Sequence, residues 1–222
     1  MKAMILAAGR GKRMMPLTAD LPKPMLPVAG RPLLEYHIER LRNAGITQIV
    51  INLAWQGEKI VQHFGDGSAF GVHIHYSYEP QEGLETAGGI RNALDVLSEC
   101  DDTFIVINGD IFTDYDVSAL TQLALGEQEA HIVLVENPAH NPQGDFRLAH
   151  QPLNEQRYTF AGIGLYHSSF FRQLAPGFTP LGPMLREALE QGHVSTELYL
   201  GLWSDIGTPE RLSEINSMWE QQ

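Results

Sequence analysis

The stretch from Leu6 to Met25 constrains this chain more than any other. A short apolar segment, Lys2–Leu6, runs into Leu6-Ala-Ala-Gly-Arg-Gly-Lys-Arg-Met-Met-Pro-Leu-Thr and then Leu21-Pro-Lys-Pro-Met25. Small residues at Ala7, Ala8, Gly9 and Gly11 let backbone N–H groups approach an anion without side-chain obstruction. Arg13 and Lys23 add fixed positive charge, whereas Arg10 and Lys12 are weaker candidates that could simply face solvent. Pro16, Pro22 and Pro24 stiffen the loop and lower its ordering cost on binding. A Walker loop is excluded, because Leu6 stands where its first glycine belongs and Arg13 where its Ser or Thr belongs. The dinucleotide fingerprint fails too, with Met14 in place of its third glycine. A Gly/Pro-rich turn that binds nothing is the bland alternative. Two glycines alone would leave that open; the continuation through Arg13, Pro16-Leu17-Thr18 and Pro22-Lys23-Pro24 argues against it.

Beyond the loop, strand-like and helix-like segments alternate. Pro32 suits a first helical position, with Leu33, Leu34, Ile38 and Leu41 on one face and Gly45 as the stop. The pattern predicts strands at Gln48–Leu53, Val72–Tyr78, Thr103–Asn108, His131–Glu136 and Phe160–Tyr166. It predicts helices at Glu58–Phe64, Ile90–Leu97, Val117–Leu125, Leu181–Glu190 and Pro209–Trp219. Such alternation implies an α/β fold, a mostly parallel sheet covered on both faces. Ligands of such sheets bind beyond the carboxyl ends of the strands, which brings the loop after Leu6 and the corner Asn108-Gly109-Asp110 to one edge. After Asp145 the alternation loosens, which suggests a second lobe built onto the same sheet.

The 222 residues suffice for one domain. A formal charge of −12 argues against a nucleic-acid partner, which needs a basic surface, but permits a small phosphorylated substrate held by local charge. The single cysteine, Cys100, forms no internal disulfide or cysteine metal cluster and reads as a packed or idle thiol. The start is too short in apolar residues for a signal peptide, and no segment approaches a membrane span. A cytoplasmic protein without membrane partner or obligate protein partner is the expectation. His73 and His75 could share one strand face, but Val72, Ile74, Tyr76 and Tyr78 claim the apolar side and leave the histidines outward.

Gly9-x-Gly11-x-Arg13-x-x-Pro16-Leu17-Thr18 with Pro22-Lys23-Pro24 resembles the signature of the sugar-phosphate nucleotidyltransferases, with Lys12 where members often carry Thr. Later landmarks follow in order: Glu85-Thr-Ala-Gly-Gly89, Asn108-Gly-Asp110, Phe160-Ala-Gly162 and Trp203-Ser-Asp205-Ile-Gly-Thr208. Leu84-Glu-Thr-Ala-Gly-Gly-Ile90 and the Trp-x-Asp-Ile-Gly-Thr-Pro-Glu-Arg-Leu ending are similar to one branch, which uridylylates N-acetylmuramate α-1-phosphate in peptidoglycan (cell-wall) recycling. The resemblance implies a Rossmann-like three-layer sandwich, the nucleotide-diphospho-sugar transferase fold. It implies a single domain, 1–222, with a nucleotide half to about residue 110 and a sugar half from about 111. No room is expected for the appended acyltransferase domain of some members.

The resemblance also implies roles. Leu6, Ala7, Ala8, Gly9, Gly11, Lys12, Arg13, Lys23, Gln81, Thr86, Ala87 and Gly88 would bind the nucleotide, UTP. Asn108, Gly144, Glu155, Thr159, Ala161, Gly162 and Asp205 would bind the sugar 1-phosphate. Asp110 and Asp205 would hold Mg²⁺ and, with Arg13 and Lys23, form the catalytic set. On residues alone, either aspartate could be a turn residue or helix cap. Asp114-Tyr115-Asp116, a metal motif of many glycosyltransferases, reads better here as a turn and N-cap. The alternatives are a hexose 1-phosphate guanylyl-, uridylyl- or thymidylyltransferase, a glycosyltransferase using a finished nucleotide sugar, and a non-catalytic nucleotide-sugar sensor.

Overall fold

Strand β1 (Lys2–Leu6) lies at the heart of the molecule because nothing in Ala3-Met4-Ile5 wants water: all three are fully buried. The structure, a computed structural model, describes residues 1–151 and 155–219. After β1 the loop ends in a small hairpin of β2 (Pro27–Val28) and β3 (Arg31–Pro32), then α1 (Leu33–Asn43), β4 (Gln48–Leu53), α2 (Gly57–Phe64) and β5 (His73–Tyr78). Next come α3 (Glu85–Leu97), β6 (Thr103–Asn108), β7 (Ile111–Thr113), α4 (Ser118–Thr121), β8 (Ala130–Val135), β9 (Thr159–His167) and α5 (Ser169–Arg172). The chain then runs through α6 (Leu181–Glu190), β10 (Val194–Tyr199), β11 (Trp203–Asp205) and α7 (Pro209–Trp219).

Seven strands form one sheet in the order β10-β8-β9-β6-β1-β4-β5. β9 alone runs against its neighbours; the other pairings are parallel. Parallel strands buried on both faces still alternate, so odd and even residues feed different layers. Ala3, Ile5, Ile49, Ile51, Ile105 and Ile107 face Leu34, Ile38 and Leu41 of α1 and Ile60 and Phe64 of α2. Met4, Val50, Phe104 and Val106 face Ile90, Leu94 and Leu97 of α3, Phe171 of α5 and Leu185 of α6. The result is the mostly parallel three-layer sandwich expected from the alternation.

Several expectations need correction. Helix α3 begins five residues before Ile90, so Glu85–Gly89 is its first turns rather than a connecting loop. Two adjacent glycines disfavour helix on propensity alone, but here packing requires them. A Cβ on Gly88 would sit 2.2 Å from the Gly177 carbonyl oxygen, and one on Gly89 2.5 Å from Glu79 Oε1. The Thr179 carbonyl accepts the N–H groups of Ala87 and Gly88 at 3.0 and 3.1 Å, satisfying donors a helix start leaves open. Helix α4 is only one turn, not Val117–Leu125. Strand β10, not expected, pairs in parallel with β8 at the sheet edge; its sequence Val-Ser-Thr-Glu-Leu-Tyr offers too little apolar signal. Pro32 closes β3 and caps α1 instead of opening the helix. His73 and His75 do face outward, but Tyr78 is exposed as well and Ser77 is buried. Cys100 is exposed and unpaired. Among the described residues no helix is long and apolar enough to cross a membrane.

Two stability measurements follow from this packing. Gly88→Ala should lower the thermal midpoint, although glycine to alanine within a helix ordinarily stabilises by up to about 1 kcal/mol, because the added methyl meets backbone. His37 of α1 is fully buried, and burial together with the nearby Arg40 charge lowers its pKa to about 3. The unfolded chain binds a proton on this group near pH 6.5 and the folded chain does not, so stability falls as pH drops from about 6.5 toward 3. Urea titrations from pH 7 to 4 should show wild type losing up to ~1.4 kcal/mol per pH unit more than His37→Leu.

Candidate active site

Three strands end together. In the sheet register Leu6 of β1 lies beside Asn52 of β4 on one side and Asn108 of β6 on the other. Parallel strands put their carboxyl ends on one edge, and at that edge the chain exchanges apolar side chains for amides. Asn52 is nearly buried and acts as a brace: its Oδ1 accepts the Ala7 N–H at 2.7 Å and its Nδ2 donates to Glu79 Oε1 at 2.7 Å. Glu79 Oε2 accepts the Leu84 N–H at 3.0 Å, just before α3. Desolvation pushes the Glu79 carboxyl above its ordinary pKa, against the pull of these two donors. One polar chain thus ties the loop after β1 to the start of α3. Neither Asn52 nor Glu79 was singled out from the sequence; the available signal was a polar residue at each of two strand ends.

The loop itself is held by close packing. Gly11 is left-handed at φ +59°, and a Cβ there would meet Thr18 Cγ2 at 3.0 Å and Lys23 Cβ at 3.1 Å. Thr18 Oγ1 donates to the Gly11 carbonyl at 2.8 Å. Gly11, Thr18 and Lys23 are spaced along the sequence but form one locked cluster. Lys23 then opens a single 3₁₀ turn between Pro22 and Leu26, and its ammonium pairs with the Asp110 carboxylate. Gly109 allows this corner to close: its N–H donates to the Leu6 carbonyl at 2.9 Å, and a Cβ would stand 2.5 Å from that oxygen.

A second aspartate is delivered by a separate two-stranded sheet. β7 pairs antiparallel with β11, setting Asp205 opposite Ile111, while the Ile206 N–H donates to the Asp110 carbonyl at 2.7 Å. Asp110 and Asp205 therefore spring from adjoining backbone although 95 residues separate them (205 − 110). The Asp205 carboxylate pairs with Arg211 of α7 and lies 3.0 Å from His140 Nε2. Arg211 was visible only as part of the Thr-Pro-Glu-Arg-Leu landmark, and His140 carried no signal at all. Among the described residues no group of three or more His, Cys, Asp or Glu side chains converges as a metal site; the hard oxygen donors at this corner are the two carboxylates.

A cleft of ≈ 400 Å³ occupies the edge. Leu6, Ala7, Ala8, Gly9, Lys12, Lys23, Thr86, Asn108 and Asp110, all singled out from the sequence, line it, together with Arg10, Asn52, Glu79, Glu82 and Glu85. Gly11, Arg13, Gln81, Ala87 and Gly88 do not. Arg13 is exposed on the 3₁₀ turn Lys12–Met14, whereas Arg10 reaches over the Trp55 ring at 4.9 Å. Among the residues expected to bind the sugar phosphate, Gly162 (φ +76°) makes room for Asn108, whose amide would meet a Cβ there at 2.6 Å. The Ala161 carbonyl accepts the Trp203 indole N–H at 2.8 Å. Thr159 donates to Asn137 Oδ1 and accepts from Asn141 Nδ2, both at 3.0 Å, and Gly144 makes a left-handed turn tight against Arg157. Glu155 lies farther out, exposed, in another cavity. Asp114 and Asp116 stand apart: Asp114 accepts from the Tyr199 hydroxyl, and Asp116 accepts the Ser118 N–H at 3.0 Å in a turn just before α4, whose N-cap position is Val117.

Replacing Asn52 by Leu strands the Ala7 N–H and the Glu79 carboxylate in a nearly dry site. A loss of ~1–3 kcal/mol of stability is expected, read by urea denaturation.

Comparison with known proteins completes the description. The family model described as "Nucleotidyl transferase" matches residues 2–222. The chain is 49% identical, over 98% of its length and 98% of the relative's, to N-acetylmuramate alpha-1-phosphate uridylyltransferase of Neisseria meningitidis. It is 40% identical, over 55% of its own length and 34% of the relative's, to UTP--glucose-1-phosphate uridylyltransferase of Synechocystis. A crystal structure from Bacillus anthracis, assigned as a glucose-1-phosphate thymidylyltransferase, superposes with a TM-score of 0.85 over 98% of this chain and 94% of that one, at 24% identity; it speaks for the fold alone.

Proposed function

The chain belongs to the nucleotidyl transferase family, and on that premise we propose that it joins UTP to N-acetylmuramate α-1-phosphate, giving UDP-N-acetylmuramate and pyrophosphate. The observation that carries this reading is the Lys23–Asp110 pair at the floor of a cleft walled by Ala7, Ala8 and Gly9. Kinship over nearly the full length with the Neisseria enzyme supports the choice of substrates. A role in peptidoglycan recycling and a cytoplasmic location follow from those substrates, UTP being an intracellular one. Residues to about 110 serve the nucleotide and later ones the sugar.

In the reaction an oxygen of the sugar phosphate attacks the α-phosphorus of UTP in line. The new O–Pα bond forms as the bond from Pα to the β-phosphate oxygen breaks, and pyrophosphate leaves; no protein nucleophile or proton relay is required. Ala8 and Gly9 present N–H groups without partners among the described residues, while the Ala7 N–H is already spent on Asn52. Arg10 and Lys12 reach the cleft from the loop, and Lys23 offers the buried cation where two anions must meet. Arg13 would join them by turning inward from its exposed position. Thr86 and Gln81 are the candidates nearest the base. Asn108 faces both halves of the site, and Gly144, Thr159, Ala161 and Gly162 shape its sugar side, with Glu155 at the rim.

Asp110 and Asp205 would hold Mg²⁺. Two carboxylates on adjoining backbone suit a hard cation that prefers oxygen ligands, although only Asp110 of the two lines the cleft. Such an ion, when bound, neutralises phosphate charge and orients the reacting groups. Lys23 and Arg211 now balance the two carboxylates, so each must share its partner on binding.

Removing a preorganised charge of this kind costs ~10²–10³-fold in rate. Lys23→Ala and Asp110→Ala should each lose at least that much pyrophosphate release with UTP, N-acetylmuramate 1-phosphate and Mg²⁺, while remaining folded. Near-wild-type turnover by either variant sinks the assignment. A panel of sugar 1-phosphates and nucleoside triphosphates tests the substrates: preference for glucose or mannose 1-phosphate would favour the hexose reading instead.

A further inference from the structure

A smaller cavity of ≈ 220 Å³ opens between the start of α3 and the start of α6. It shares Glu85, Thr86 and Asn108 with the nucleotide cleft, so the two form one continuous depression across the end of β6. Its far wall is α6. There the guanidinium of Arg186 folds back over Gly182, one turn earlier: a Cβ on that glycine would lie 3.6 Å from Nη1 and 3.7 Å from Nη2. Residues four apart share a helix face, and the missing side chain at 182 lets the flat guanidinium settle against the helix beside the cavity.

Arg186 has no ion pair or hydrogen bond among the described residues. Two acids line the same cavity; Glu85 makes no ion pair with Arg186, and Asp145 is taken. Asp145 Oδ2 accepts the Phe160 N–H at 2.9 Å, and Oδ1 accepts the Asn141 amide at 3.2 Å. Arg186 is therefore left with an open fork at the rim of a hollow whose lining mixes polar Thr86 and Asn108 with apolar Phe160 and Leu181. An arginine fork matches a planar carboxylate with two parallel N–H donors. The phosphate end of the site is already supplied with cations from Arg10, Lys12 and Lys23, and Arg186 lies beyond Asn108 from them.

We propose that Arg186 selects a sugar phosphate that carries a carboxylate on a ring substituent, binding that carboxylate through its guanidinium. This rests on the function proposed above, since N-acetylmuramate differs from N-acetylglucosamine by a lactyl ether ending in a carboxylate. Arg186 is a specificity residue remote from the reacting atoms, so its loss acts on substrate capture more than on chemistry.

The test is steady-state pyrophosphate release with UTP and Mg²⁺, using N-acetylmuramate 1-phosphate and N-acetylglucosamine 1-phosphate. Arg186→Gln should raise KM for the muramate substrate roughly 10- to 100-fold, the range of a hydrogen bond to a charged group, with little change in kcat. Its kcat/KM for the glucosamine substrate should stay within about twofold. Arg186→Lys should recover only part of the loss, because a point charge replaces a fork. Equal losses on both substrates, as a phosphate contact would give, or no loss on the muramate substrate, overturn the Arg186 assignment alone. A wild-type enzyme that prefers the glucosamine substrate overturns the proposed function and this inference with it.

Discussion

The pairing of Lys23 with Asp110 is the interaction on which the edge of this molecule depends. A lysine as buried as Lys23, 7% exposed, is costly unless a carboxylate answers it. Asp110 is in place to do so because Gly109 lets the chain turn sharply over the Leu6 carbonyl. The pair therefore ties a glycine- and proline-rich loop, with little secondary structure of its own, to the end of a rigid strand. Gly11 and Thr18 complete the lock from the loop side. The arrangement is also unfinished. Both partners are groups that phosphate or a cation would compete for, and the cleft beside them is open.

The second corner repeats this design. Asp205 is brought to Asp110 by a two-stranded sheet outside the main one, and its charge is met by Arg211 and His140. In a chain of net charge −12, four basic residues line one depression. Arg10, Lys12 and Lys23 stand at one end and Arg186 at the other, with Asn108 between. Two of the acids that line it are held by other donors: Glu79 by Asn52 and the Leu84 N–H, Asp145 by Asn141 and the Phe160 N–H.

Legibility differed by kind of signal. Strands β1, β4 and β6 and helices α6 and α7 could be read because burial on both faces, or on one helical stripe, writes itself into local apolar patterns. The first turns of α3 could not, since Gly88 and Gly89 argue against helix unless one knows that Gly177 and Glu79 press on them. β10 was hidden for the opposite reason: an edge strand with a half-exposed face need not be apolar. Within the site, Lys23 and the small residues of the loop stood out by type and spacing, and Asp110 by its place at a strand end and by the family resemblance. Asn52, Glu79, His140 and Arg186 did not, because a single polar residue gains meaning only from what it faces.

The sequence by itself determined a mostly parallel α/β sandwich, a glycine- and proline-rich loop after the first strand, and kinship with the nucleotidyl transferases, all carried by residues close together in the chain or recurring at regular periods. Tertiary structure alone decided which of the basic residues reach the cleft, placing Arg10 and Lys12 there and leaving Arg13 outside. It alone brought Asp205 beside Asp110, braced the loop on Asn52, and laid Arg186 open over Gly182. The physical reason is that charge and hydrogen bonding act over a few ångströms of space, and the sequence orders residues without stating those distances.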